Sequence, residues 1–502
     1  MLLADLARTS AAVAATRSRL EKRALLADLL VSAPPTEIDL AATYLSGTLR
    51  QRRTGVGWRS LAELPEPAVA PSLSLTEIDQ RLTAVSELAG PGSGGERKVQ
   101  VEALFATLAA DEQAYLCALI TGGIRQGALD SVMLDAIAVA ADVPLAAVRR
   151  AAMFSAPTGP IAVAALTGGV EALAEFTLVV GRPVRPMLAS SAPGVPEGFA
   201  PLAGAGAVVV DTKLDGIRIQ AHKDGDDVLV FTRSLDEISD RLPGVVQAVR
   251  ALAATSLILD GEALLVEADG RPRPFQETAS ETASSGGVSA QPFFFDLLAH
   301  DGESLIESPG TLRWERLDEL VPESMRTRRL VTTEVDEATA FFASVVGDGQ
   351  EGVILKDPTA PYAAGRRGAA WVKVKPRHTL DLVVLAVEHG SGRRRGTLSN
   401  IHLGARDGQG FVMLGKTFKG MTDEMLAWQT ERFRALQVED DGYVVTVRPE
   451  QVVEIAFDGV QRSTRYPGGV ALRFARVLRY RDDKAPGDVD TLDAVRTFLA
   501  RG

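Results

Sequence analysis

The chain has 502 residues, 46% hydrophobic and 24% charged, enough for about three domains with their own cores, which excludes disorder of the whole chain. A single cysteine, Cys117, excludes an intrachain disulfide, a four-cysteine zinc site and an iron–sulfur cluster, and suits a reducing cytoplasm. The net charge of −11 argues, at face value, against a nucleic-acid partner.

The opening MLLADLARTS mixes acids with apolar residues, so no signal peptide is expected. No uncharged apolar run reaches the roughly 18 residues of a membrane span. Residues 1–182 are expected to form an all-α domain, because Val101, Leu104, Phe105, Leu108 and then Tyr115, Leu116, Ala118, Leu119 recur at helical steps in an Ala- and Leu-rich stretch. Within it, GPGSGG at 90–95 reads as a loop. Residues 183–206, dense in Pro, Ala, Gly and Ser, read as a linker. From Ala207 short β-rich runs (AVVVD, VLVFTR, SLILDGEALLV, PFFFDLL, GVILK, WVKVK) and DG turns at 224–225 and 269–270 predict an α+β domain over 207–378. Its small polar piece at 277–290 reads as a mobile surface loop. Residues 379–502 hold closely spaced strands and one helix-like piece, which fits a β-barrel of the OB-fold kind. The net charge is −3 over residues 1–200, −10 over 201–376 and +2 over 377–502, so the acidity is concentrated in the middle.

The strongest chemical signal is Lys213-Leu214-Asp215-Gly216-Ile217-Arg218, directly after AVVVD. A lysine at a strand end is most often a solvated charge, and KxDG alone is short. Its company is more specific: FTRS (231–234), LDGE (259–262), FFFD (293–296), EGVILK (351–356), WVKVK (371–375) and RFARVLRYRDDK (473–484) follow in order. This ordered set resembles the covalent nucleotidyltransferase superfamily and, within it, the ATP-dependent DNA ligases of actinobacteria. By motifs it runs from Arg185 to Lys484, and ITGGIRQGALDSVMLDAIA (120–138) resembles the DNA-binding domain of bacterial and archaeal ligases.

Joining a 3′-hydroxyl to a 5′-phosphate needs a leaving group on that phosphate, and a nucleophile that carries AMP divides the task. A lysine amine forms a phosphoramidate once deprotonated, and cations such as Arg218, Lys373 and Lys375 would favour loss of its proton. Lys, Arg and Mg²⁺ stabilise the phosphoryl group in flight. The resemblance implies Lys213 as the adenylated nucleophile, with ATP as substrate and Mg²⁺ as cofactor. It implies that Asp211 helps to select adenine with Thr212 beside it, and that Arg218 and Arg233 contact the nucleotide and the nick phosphate. Glu262 would hold the ribose or support the metal, and Glu351 is the leading metal carboxylate. Phe295 would stack on adenine, with Phe293 and Phe294 as alternatives. Lys373 and Lys375 would share one strand face toward the phosphate, and Arg476, Arg481, Asp483 and Lys484 would orient the leaving pyrophosphate.

Plainer readings stand beside these. Glu262 and Glu351 could be hairpin-edge charges, and at least one of the three phenylalanines belongs to the core. Asp296 could cap a turn, and the C-terminal basic run could be a solvated strand face. The five histidines, at 222, 300, 378, 389 and 402, lack metal-ligand spacing. Where the family often has RFPR, this chain has Arg473-Phe474-Ala475-Arg476, which loosens the backbone but keeps the charges.

The expected partner is nicked duplex DNA, held mainly through phosphates and so with little sequence specificity. Candidate contacts are Arg50, Arg52, Arg53 and Arg59 with Trp58, then Arg125 in the turn GGIRQG, and Arg393, Arg394 and Arg395. Gly122, Gly123 and Gly127 would allow a phosphate to approach the backbone. The alternatives are an mRNA capping guanylyltransferase, an RNA ligase, an NAD-dependent ligase (disfavoured by the single cysteine) and an inactive nick-binding scaffold. A monomer without zinc, in the cytoplasm and on the nucleoid when bound to DNA, is expected, with a hinge near 376–381 that lets Lys484 swing away after the first step.

Overall fold

The structure is a computed structural model and describes the chain apart from residues 52–53, 127–128, 156, 267–272, 274–277, 279–280, 283–289, 366 and 500–502. It divides into two compact units: Met1–Met187 with Arg233–Leu235 and Ala363–Arg366, and Leu188–Thr232 with Asp236–Tyr362 and Arg367–Gly502.

The first unit is helical. Leu3–Ala15, Arg19–Ser32, Ile38–Leu45, Leu75–Glu87, Ser93–Phe105, Ala110–Ile120, Leu129–Ala140, Leu145–Phe154 and Thr158–Ala174 are helices. They share one apolar core that includes Leu6, Leu30, Tyr44, Leu104, Phe105, Leu116, Met133 and Ile161. The apolar periodicity therefore marks the buried faces, with Ala118 at their rim. Local chemistry sets the ends: Ser74 and Glu77 form a capping box at the start of Leu75–Glu87. The expected loop at 90–95 is shorter than its composition suggests. The helix begins at Ser93 behind Gly92, whose φ of +87° makes the turn.

The expected linker at 183–206 is largely structured. Leu188–Ser191 is a strand (β1) and Val195–Phe199 a short helix, and Val195, Phe199 and Leu202 join a core with Val208, Val210 and Leu355. The Pro and Gly content misleads for a physical reason. Pro196 occupies the first turn of the helix, where its missing N–H is harmless. Gly198 lies where a Cβ would meet a Leu355 methyl at 2.8 Å.

The strands of the middle part are β2 (Val208–Lys213), β3 (Ile217–Asp224), β4 (Asp227–Thr232), β5 (Ser256–Leu264), β6 (Gln291–His300), β7 (Glu303–Ser304), β8 (Arg329–Thr332), β9 (Gly352–Lys356) and β10 (Arg367–Val374). They form two five-stranded sheets, β1-β10-β9-β2-β8 and β4-β3-β5-β6-β7, in which only β1 and β10 pair in parallel. The DG at 224–225 turns β3 into β4 with Gly225 at φ +57°, whereas the DG at 269–270 lies outside the described residues. Most of the expected loop at 277–290 also lies outside them, and its described Thr278 and Thr282 are buried.

The C-terminal part is all antiparallel. Its strands are β11 (His378–His389), β12 (Leu398–Asp407), β13 (Gly410–Thr417), β14 (Gln437–Asp440), β15 (Val444–Val447), β16 (Val452–Phe457), β17 (Gly459–Arg462), β18 (Val470–Arg473) and β19 (Arg476–Arg481). They form a seven-stranded sheet and a separate two-stranded one made by β17 and β18. The long β11 pairs with β16 along its first half and with β12 and β15 along its second, so one strand serves two sets of neighbours; β16 in turn pairs with β19. Of the expected hinge at 376–381, only 376–377 lie outside strands; His378–Asp381 already belong to β11 and pair with β16.

Asp296 is no turn cap. It sits within β6, fully buried, where it accepts from Arg313 of the helix Gly310–Leu320 at 2.7 and 3.2 Å. Arg313, equally buried, also donates to the carbonyl oxygens of Ser308 at 2.5 Å and Ala360 at 3.2 Å. Arg313→Ala strands a buried carboxylate, and urea denaturation is expected to show a loss of about 3–5 kcal/mol. Replacing both partners with apolar residues of similar volume is expected to cost less.

Candidate active site

β2 leaves one sheet at Lys213 and β3 enters the other at Ile217, so Lys213, Leu214, Asp215 and Gly216 bridge the two sheets. A Cβ on Gly216 would lie 2.6 Å from the carbonyl oxygen of Ala263, so only glycine lets β5 pass this close. The Gly216 N–H donates to Glu262 Oε2 at 3.0 Å. On the other side β9 places Gly352 opposite Lys213. Gly352 takes φ +141°, and a Cβ there would lie 2.2 Å from the carbonyl oxygen of Val374. The glycines of KxDG and EG are thus demanded by strand spacing around one lysine.

Lys213 Nζ pairs with Glu351 Oε2, and Lys375 Nζ pairs with Glu351 Oε1. Burial pushes the Glu351 carboxyl upward, but the two ammonium groups outweigh it and hold the carboxyl below its ordinary range. Lys375 is raised despite its burial, because Glu351 and Asp458 favour its charged form. Lys373 is lowered by burial and then by the cations Lys375, Lys213 and Arg367. Val374, the last residue of β10, is buried between the two. The direct partner of Lys213 is therefore an anion, not one of the three cations expected around it; Arg218 is committed elsewhere. Burial pushes Glu262 up to about 7, with Glu351 adding to the shift and Lys213, Gly216 and Arg218 opposing it.

Arg218 donates to Asp260 at 2.7 and 2.5 Å, and the Tyr362 hydroxyl donates to the same carboxylate at 2.6 Å. The Arg218 guanidinium lies 4.6 Å from the Phe295 ring centre. Lys356, only 1% exposed, sits 5.0 Å from the same ring and 4.3 Å from that of Trp371. Of the three phenylalanines, Phe294 is core, Phe293 is half-buried opposite Glu262, and Phe295 takes this cationic position. Asp211 is buried with both oxygens engaged, by Arg329 at 2.6 and 3.1 Å and by Lys356 at 2.5 Å. Thr212 donates its N–H to the Arg328 carbonyl at 3.0 Å. Arg233 is exposed just beyond β4.

The four C-terminal residues expected to act together fall into two places. Arg476 reaches Asp458 at 3.3 Å, and Lys375 reaches the same carboxylate at 3.3 Å. Arg473 reaches Asp215 at 3.3 Å. At the other end of β19, Arg481 pairs with Asp483 at 2.7 and 2.6 Å and with Asp381 at 3.3 Å, while Lys484 reaches Asp381 at 2.5 Å. Phe474, at the turn where the family often has Pro next, takes φ +55°.

Among the expected DNA contacts, Arg125 is exposed on a turn fixed by buried Gln126, which donates to Leu45 O at 2.5 Å and accepts from Ser10 at 2.8 Å. Arg50 reaches Asp79 at 3.4 Å. Trp58 and Arg59 are exposed on a short 3₁₀ turn. Arg394 braces its loop through Ser399 and the Phe418 carbonyl, both at 3.1 Å, and Arg395 is exposed. Arg52, Arg53, Gly127 and the Arg393 side chain lie outside what is described.

Sequence reasoning assigned no role to Asp260, Lys356, Trp371, Arg329, Asp381 or Asp458. The first three stand inside quoted motifs, where strand alternation next to a functional neighbour was an available signal. The last three are remote in sequence from their partners and carried none.

Two sheets around a lysine shared with a carboxylate and two further lysines define a nucleotidyltransferase domain. Residues 186–375 match the family description "ATP dependent DNA ligase domain", 394–484 match "ATP dependent DNA ligase C terminal region" and 65–138 match "DNA ligase N terminus". The chain is 61% identical to a "Probable DNA ligase" of Beutenbergia cavernae, covering 99% of each chain, and 57% identical to one of Nocardioides sp., again over 99% of each. A solved structure titled "Pmar-Lig_PreS3" shares the fold at TM-score 0.63 and 16% identity, covering 95% of this chain and 99% of that one. The chain belongs to the ATP-dependent DNA ligase family.

Glu262→Gln tests the electrostatics. Below the ordinary value of 4.5 the carboxyl is protonated whether folded or unfolded; between 4.5 and about 7 it ionises only on unfolding, which costs the fold stability as the pH rises, and above that the cost is constant. The variant is expected to exceed the parent by about 3 kcal/mol in urea unfolding at about pH 8, with the difference shrinking toward pH 5.

Proposed function

We propose that this ligase seals nicks in duplex DNA through a lysine–AMP intermediate carried on Lys213. The arrangement of Lys213 and Lys375 on one Glu351 carboxylate carries the reading. In the first step Lys213 gives up its proton, Nζ bonds to the α-phosphorus of ATP, and the bond to pyrophosphate breaks. In the second, an oxygen of the nick's 5′-phosphate takes the AMP and the P–N bond breaks. In the third, the 3′-hydroxyl attacks that phosphate and AMP leaves. Lys373 and Lys375 face the phosphate throughout, so negative charge gathering on it meets fixed cations. Asp211 acts on the adenine through Lys356 and Arg329, which it orients, and Phe295 forms the apolar wall beside them. Arg481 and Lys484 orient pyrophosphate in the first step.

Mg²⁺ fits the residues present. Glu262 and Glu351 are close enough to raise one carboxyl through the other, a repulsion that a cation relieves. Among the described residues no group of three or more acidic, His or Cys side chains offers a closed metal site, which suits an ion that keeps waters and substrate phosphates. Glu351 and Glu262 would hold it, and it would supply charge neutralisation on the phosphates.

Arg50, Arg52, Arg53, Arg125, Arg393, Arg394 and Arg395 would grip DNA phosphates. No helix of the described residues is long and apolar enough to cross a membrane. We read the enzyme as a monomer of the cytoplasm.

Incubation with labelled ATP, GTP or NAD is expected to leave label on the denatured protein from ATP alone, and Lys213→Ala is expected to leave none. Full labelling of that variant would refute the assignment. Label from GTP alone would point to capping chemistry.

A further inference from the structure

We propose that Asp458 is a positioning residue that holds the C-terminal sheet against the nucleotide site in the arrangement used for sealing. The inference rests on the reading above, in which Lys213 carries AMP and Arg481 and Lys484 serve the first step.

Asp458 follows β16 directly, and its N–H donates to the Arg473 carbonyl at 3.0 Å, which anchors its main chain beside β18. One carboxylate oxygen lies 3.3 Å from Lys375 Nζ and the other 3.3 Å from Arg476. Both Asp458 and Lys375 are about three-quarters buried, with side-chain exposures of 24% and 22%, so solvent screens this pair less than a surface pair. It completes a row of alternating charges, Lys213, Glu351, Lys375, Asp458 and Arg476, that starts at the nucleophile and ends on the C-terminal sheet. Without Asp458, Lys375 and Arg476 would meet as like charges. The row therefore ties the position of the sheet to the lysines that face the phosphate.

The strand itself says which step this arrangement serves. β19 presents its Arg476 end to Lys375 through Asp458. Arg481 lies five residues further on, about 16 Å along an extended strand. There it and Lys484 are occupied by Asp381. Nucleotide loading uses the far end of β19, so a group that holds the near end at the site favours the steps after loading.

The test separates the two halves of the reaction in the full-length enzyme. One single-turnover assay follows transfer of labelled AMP from ATP to the protein. The other follows sealing of a nick that already carries a 5′-adenylate. In Asp458→Asn, sealing is expected to fall at least about tenfold further than adenylation. Asp458→Glu, which keeps the charge, is expected to recover most of the loss, and Lys484→Ala to show the reverse order, with adenylation falling further than sealing. Equal losses in both assays, or full sealing by Asp458→Asn, would overturn the proposal. A parent enzyme that takes label from ATP yet fails to seal the pre-adenylated nick would instead sink the functional reading beneath it.

Discussion

The site depends on one carboxylate shared by two lysines. Glu351 accepts from Lys213 on one oxygen and from Lys375 on the other, in a place where Lys373 adds a third ammonium group. Such a cluster repels itself strongly away from water unless an anion sits inside it. The backbone is arranged around that need. β9 starts at Gly352, opposite the last residue of β2, because only a residue without a side chain fits beside the Val374 carbonyl. The Glu351 N–H donates to the Lys213 carbonyl at 3.1 Å, so the two side chains that must meet are anchored to each other through the main chain as well.

Behind the lysine lies a layer of buried charge. Asp211, Arg329 and Lys356 form one group, Asp260 and Arg218 a second, and Asp296 and Arg313 a third, packed among Phe295, Trp314, Tyr362 and Trp371. Buried ion pairs are weak contributors to stability, since desolvation offsets most of the attraction. Their value here is geometric. Each cation is held by a carboxylate and an aromatic face at once, which fixes its direction before any nucleotide arrives, and preorganised charge is what phosphoryl transfer draws on. A mutation in this layer is felt as misplacement of charge rather than only as a softer core.

How far the site could be read in the sequence follows from where each partner lies along the chain. Lys213, Glu262, Glu351, Lys373 and Lys375 stand in short runs where strand alternation and glycine punctuation are visible locally. The helical faces of the first unit were equally legible, since helix periodicity is a property of one segment. The stretch at 183–206 was misjudged because composition reports flexibility only on average, and here Pro196 is tolerated in the first turn of a helix and Gly198 is required by close packing against Leu355. Asp381, Asp458 and Arg329 were invisible for the opposite reason. Each is an ordinary charged residue that acquires its role from a neighbour about 80 to 120 residues away, a juxtaposition that only sheet pairing creates. The acidic balance was misleading in the same way: several of the middle domain's carboxylates are internal counter-ions to buried cations, not a repulsive surface.

Only Pro376 and Arg377 separate Lys375 from the start of β11 at His378. The joint between the two parts of the second unit is thus set beside a lysine of the candidate site, not at a distance from it. With so short a tether, Lys375 shares its main chain with the sheet that carries Asp458 and Arg476, so any shift of that sheet would reach the Glu351 carboxylate through the backbone as well as through the side chains.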